Sequence, residues 1–433
     1  MGVSARWLTP EQPAMRTVAP NHEARAGSAR CAARMCVGRI GQAESAASLF
    51  SAPLRKRCPN QMRVSFLPMT ARAALALALV LAGCSAAPST SGSPGASTPA
   101  AATDPAFPSA APPSAAASPS GTPEPEPLAW TRLDASGPPA REDHTWTVAG
   151  DGRTAILFGG RDGATVFGDL WSYDLDADAW TELAPAPGPA ARFGHEAAWV
   201  PDVGLVVFAG QAGTTFFNDL WAYDPDADAW SELPGSGDVP VSRYGTCAAL
   251  GPDGRLWISH GFTSDGVRFS DTRAHDFETG AWTDETPAGT RPVERCLHGC
   301  WWTDDGVLAL YAGQTTGTLA LGDRWALAEG AWSEAGGALP PERNLYARAR
   351  LDGATLVFGG QALDGSFRDD LWMLPDAEGD AVALEPAGEG PAGRAGAEMV
   401  TDPDTGRVLL FGGRDANDGL ADLWALEGAR GGG

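Results

Sequence analysis

The strongest constraint on this chain is a pattern that it repeats. Apolar runs closing on small residues occur at 154–160 (TAILFGG), 204–210 (GLVVFAG), 255–261 (RLWISHG), 307–313 (VLALYAG), 354–360 (ATLVFGG) and 407–413 (RVLLFGG). Their last glycines are 50, 51, 52, 47 and 53 residues apart. Three further columns keep the step. Arg141, Arg192, Arg243, Arg295, Arg343 and Arg394 each open a strand. Asp169, Asp219, Asp271, Asp323, Asp370 and Asp422 each precede another. Trp130, Trp180, Trp230, Trp282 and Trp332 mark a third, with Val382 in the sixth place. A period of about fifty residues means similar units packed side by side, each unable to bury its apolar face alone. Brief apolar stretches alternate with turn clusters, and 54 Gly and 35 Pro supply the turns. Each unit therefore reads as four short strands, and the predicted fold class is all-β.

Gly-Gly after an apolar strand, Asp-Leu-Trp-x-Tyr at 169–173 and 219–223, and a Trp nine residues further on resemble the kelch repeat. The resemblance spans 128–433 and implies a six-bladed β-propeller with four antiparallel strands per blade. Blade 3 departs most, with SHG in place of the glycine pair and SDTRAHDF in place of Asp-Leu-Trp-x-Tyr. Six sets of three inner strands are followed by only five full outer strands. LAWTRL (128–133) has no blade in front of it, so it is predicted to complete blade 6 and close the ring. Asp174, Asp176 and Asp178 fall between two strands of one blade. Asp favours left-handed turns, and the Gly and Glu of a calcium loop are missing from their places, so the run reads as a turn. The Trp column reads as packing between blades.

The first 127 residues read differently. MTARAALALALVLAGC places Arg72 before a ten-residue apolar run and ends in Leu-Ala-Gly-Cys, which resembles a bacterial lipobox. That resemblance implies a signal peptide over 62–83, cleavage before Cys84 and lipidation of Cys84. Residues 1–61 are Arg- and Ala-rich and non-periodic, and read as disordered or as lying before the true start at Met62 or Met69. Residues 84–127 are rich in Ser, Pro and Ala and read as a disordered linker reaching up to roughly 100 Å. Beyond residue 83 the chain carries 20 Arg against 51 acidic residues and no Lys. Such a charge repels nucleic acid and anionic membrane, leaving the lipid as the only membrane contact.

The loops entering the first strand and those joining the second to the third share one face of a propeller. The six column arginines belong to the first set, and Arg161 and Arg414 to the second. Guanidinium groups gathered there suit carboxylates or phosphates, and kelch domains that take acidic peptides use Arg at the corresponding place. The six aspartates approach the same face at the same period, so the arginines could equally pair with them blade by blade. Glu142, Glu294 and Glu342, each beside a ring Arg, are the carboxylates available for acid–base work. His144, His195 and His298 each follow a ring Arg by three and read as packing near the axis; no metal site is expected. Galactose oxidase shares the repeat, but none of Tyr173, Tyr223, Tyr244, Tyr311 and Tyr346 precedes a His as its copper site requires. No cofactor is expected. Export permits a disulfide among Cys247, Cys296 and Cys300, whose pairing the strand geometry must decide.

The reading is a monomeric, extracytoplasmic lipoprotein on the bacterial envelope. Its propeller binds an extracellular or cell-surface protein or an acidic glycan through the arginine-rich face, without catalysis. An acidic-sugar mutarotase or epimerase is the alternative, and a galactose-oxidase-like enzyme a more remote one.

Overall fold

A computed structural model describes residues 127–428 apart from Ala135. The expected leader, the lipidated Cys84 and nearly all of the linker lie outside the described residues. The described chain is all-β: six four-stranded antiparallel sheets form the blades of a propeller. We label the strands A to D from the central channel outward. The A strands are Thr145–Val148, Glu196–Val200, Cys247–Leu250, Gly299–Trp302, Ala347–Leu351 and Ala395–Thr401. Blade 3 carries one addition, Ser236–Gly237, paired parallel to its D strand.

The ring closes as the strand count requires. Ala129–Leu133 forms strand D of blade 6 and pairs antiparallel with Leu423–Glu427, Trp130 lying opposite Leu426. The Trp column packs between blades. Trp230 of blade 2 lies against Phe158 of blade 1, Trp282 against Phe208, Trp130 against Phe358 and Trp180 against Phe411, with ring centroids 5.0–5.5 Å apart. Asp174 closes its turn by accepting the amides of Asp176 and Ala177, and Asp178 takes a left-handed φ of 50°. Asp178 also accepts from the Tyr173 hydroxyl and pairs with Arg407 of blade 6.

The glycine pair has a steric cause. Gly159 and Gly160 have φ of 65° and 96°, and a Cβ on Gly160 would sit 2.8 Å from the Cβ of His144. Blades 2, 3 and 4 place Ala209, His260 and Ala312 at the first position with φ near 60°, at roughly 1–2 kcal/mol each.

A second closure runs around the top of the channel. The residue two beyond each ring Arg has φ between 51° and 68°. Its amide donates to the carbonyl of the equivalent residue in the preceding blade: Gly194 to Asp143, Gly245 to Gly194, Leu297 to Gly245, Leu345 to Leu297, Gly396 to Leu345 and Asp143 to Gly396. These six bonds form a complete belt. Nearby, Cys247 and Cys300 join the inner strands of blades 3 and 4 in a disulfide with a Cα–Cα distance of 5.7 Å, leaving Cys296 as a buried thiol.

Candidate functional sites on the upper face and in the channel

The six column arginines are structural staples. Their side chains are 0–2% exposed, and each points its guanidinium at the aspartate of its own blade. Arg192 shows the pattern: Nη1 and Nη2 donate to Asp219 at 2.7 and 2.9 Å, Nη1 also to the Ala209 carbonyl, and Nε to the Ala190 carbonyl. Arg141–Asp169, Arg243–Asp271, Arg295–Asp323, Arg343–Asp370 and Arg394–Asp422 repeat it. In blades 1, 2, 4, 5 and 6 the Trp two residues later donates its indole N–H to the same carboxylate; in blade 3 Arg273 takes that place. Phe167, Phe217 and Phe269 cover the guanidinium groups of blades 1 to 3. The backbone of each Arg meanwhile bonds to the preceding blade, as when Gly160 N–H donates to Arg192 O. One residue thus clasps two blades. Arg141, Arg192, Arg243, Arg295, Arg343 and Arg394, expected to bind a ligand, are instead buried and bidentately paired, each with four of its five guanidinium N–H bonds taken and none at the surface.

Arg161 and Arg414 remain on the upper face, about 30% exposed, and they share carboxylates. Arg161 contacts Glu142 at 3.2 Å and Asp143 at 3.0 Å, and Arg414 Nε lies 2.5 Å from Glu142 Oε2. Tyr244 donates its hydroxyl to Asp143. Burial and the neighbouring Asp143 push Glu142 up to about 7, against the pull of both arginines. Glu294 and Glu342 are exposed, and their carbonyls accept from Thr315 and Arg368.

The three histidines are buried. His144 packs on Phe411, His195 on Phe158 and His298 on His260. Desolvation holds His195 down at about 3, so it is neutral throughout the physiological range. Among the described residues, no cluster of three His, Cys, Asp or Glu side chains could hold a metal ion.

Two features escape a reading by columns. On the upper face of blades 3 to 5, Val267, Leu319 and Leu363 at the B–C hairpins and Val241 and Val293 on the D–A loops are exposed. Arg268 and Arg368 lie among them, and among the described residues neither forms a salt bridge; Arg268 donates to Thr316 and Arg368 to the Glu342 carbonyl. In the channel, Glu196, Arg348 and Glu398 project from the A strands of blades 2, 5 and 6 and line a cavity of about 830 Å³ that opens on the lower face. Charged residues inside inner strands otherwise made mostly of small and apolar residues (EAAWV, ARARL with two, AGAEMVT) are the sequence signal that could have found these three.

Six closed blades, glycine turns and Arg–Asp staples define a kelch-repeat β-propeller, a scaffold suited to a binding module. Residues 124–313, covering the first three blades and part of the fourth, match the KLHDC2/KLHL20/DRC7 Kelch-repeats domain. A stretch of 137 residues is 32% identical to the tRNA wybutosine-synthesizing protein 4 of Emericella nidulans. It takes in 28% of this chain and only 12% of that relative.

Proposed function

We propose that the propeller is a non-catalytic binding module, held outside the cytoplasmic membrane by a lipid on Cys84, that docks an acidic, partly apolar segment of another protein on the upper face of blades 3 to 5. The observation that carries this reading is the coincidence of five exposed aliphatic side chains with Arg268 and Arg368, two guanidinium groups that form no salt bridge among the described residues. Exposed aliphatics favour a polypeptide over a glycan, and unpaired guanidinium groups favour carboxylates. Arg161 and Arg414, already sharing Glu142, contribute less. The disulfide supports an oxidising compartment. The net negative charge of the propeller argues against the RNA chemistry of the wybutosine relative, whose match is to a small fraction of that protein.

The test is an array of acidic and neutral peptides and glycans probed with the full chain at low and high salt, beside the variant Arg268→Glu with Arg368→Glu. Salt-sensitive binding of acidic peptides that the variant loses is expected. Binding that the variant keeps, or capture of acidic glycans alone, overturns the reading. The acid–base alternative rests on Glu142; it requires catalysed anomer exchange of an acidic sugar that Glu142→Gln abolishes.

A further inference from the structure

The lower channel holds charge that the upper-face reading does not use. Arg348 Nη2 is 3.5 Å from Glu196 Oε2, long for a charge-assisted hydrogen bond. Glu398, beside them on the neighbouring strand, has no side chain within hydrogen-bond or ion-pair distance among the described residues. At the rim of the same cavity Asp352 is exposed, and its carboxylate likewise meets no donor among the described residues. Arg350, the other cation of the lining, is taken by Asp304 and Asp376. One available guanidinium, Arg348, therefore faces three carboxylates, Glu196, Glu398 and Asp352, in the lining of this cavity.

A carboxylate so placed has two ways to offset the cost of its charge: it holds a proton or it holds a cation. Burial pushes Glu398 up to about 8, with Glu196 and Asp143 adding to the rise and Arg348 opposing it. His144, His195 and His298 line the same inner space and are all held below their ordinary range by burial, so they supply no charge there. The anionic points are spread along the axis. Strand A of blade 5 runs on from Arg348 to Leu351, about 10 Å at ~3.3 Å per residue, and Asp352 opens the turn at its end. Between the two levels Val148 and Leu351 offer apolar wall. The volume is within the roughly 300–1,000 Å³ usual for small-molecule sites.

We propose that the lower half of the channel binds a linear aliphatic polyamine, one ammonium group on Glu398 beside the Glu196–Arg348 pair and another at Asp352, with the methylene chain along the wall between them. The ammonium replaces the proton on Glu398, so binding releases that proton to the buffer.

The experiment is calorimetric titration of the full chain with spermidine at pH 7.5 and 150 mM salt, in two buffers of different ionisation enthalpy. One saturable site with net proton release is expected. Glu398→Gln should weaken it about ten-fold or more and abolish the proton release. Asp352→Asn, at an exposed position, should weaken it a few-fold. The Arg268→Glu, Arg368→Glu variant should leave it unchanged, which separates this site from the upper face. Thermal melts establish that each variant is folded. Several weak sites that vanish with salt, no saturable heat, or equal affinity in folded Glu398→Gln would overturn the proposal.

Discussion

The Arg–Asp staple makes a prediction sharp enough to measure. In Asp219→Ala, Arg192 keeps its bonds to the Ala209 and Ala190 carbonyls and its place over Phe217 at 4.1 Å. It loses both carboxylate bonds, and Trp221 loses the acceptor of its indole N–H. Removing one partner of a buried pair costs about 3–5 kcal/mol, because the remaining charge stays buried. Asp219 is 26% exposed while Arg192 is fully buried, so water can enter the vacated space and soften the loss. The lower end, about 3 kcal/mol, is expected, or a fall of about 6 °C in melting temperature at ~2 °C per kcal/mol for a domain of this size. Replacing both partners by apolar residues, Arg192→Met with Asp219→Leu, should cost less than Asp219→Ala alone, since no charge is stranded. Thermal and urea unfolding of the wild type, both single variants and the pair complete the cycle. Melting of Asp219→Ala within a degree of wild type, or strict additivity in the pair, would refute the staple.

Two further predictions concern the seam and the channel. Trp130→Ala should cost about 3–5 kcal/mol, as for other buried Trp, and deleting Ala129–Leu133 should cost more because it also opens the ring; an unchanged melt in either would disprove closure. Stability should peak near neutral pH. Glu142 and Glu196 are pushed up to about 7 and Glu398 to about 8, so the folded state holds protons that the unfolded chain has released, and their contribution falls as pH rises through these values; His144, His195, His260 and His298 are held neutral by burial, so stability also falls as pH drops below about 6.5, where the unfolded chain protonates them. The staple aspartates are held below their ordinary value, so their contribution is complete above about pH 4 and is lost as pH falls through the depressed values. Melting temperature followed across this range should show both arms, and Glu398→Gln should flatten the alkaline one.

The blades were legible because period and composition agree. Each column is a residue type whose chemistry fits one place in a four-stranded sheet, and a count of outer strands was enough to assign 128–133 to blade 6. The site was harder. Arg141 and Asp169 are 28 residues apart in sequence, and nothing in their spacing says whether the guanidinium meets that carboxylate or the solvent. Only the turn of the glycine pair, which brings the start of strand C beside the entry to strand A, decides it. Glu196, Arg348 and Glu398 were missed because they stand in different blades and share no column; their meeting is a property of the ring. The exposed aliphatics of blades 3 to 5 were missed for the opposite reason. They occupy hairpin tips and the loops between blades, where the period sets the length of the loop and leaves its residues free.

The belt of six amides around the channel also carries a timetable. Each bond links neighbouring blades, but the one from Asp143 to Gly396 cannot exist until the last blade has formed. A growing propeller therefore carries its first blade unclosed until the sixth has been made, and strand D of blade 6, the first of the described strands to emerge, waits for strand C of that blade, the last of them. Once the belt shuts, no amide in it can open without disturbing its neighbour. Their hydrogens should exchange together, at the rate at which the ring parts, while the hairpin tips exchange freely above them.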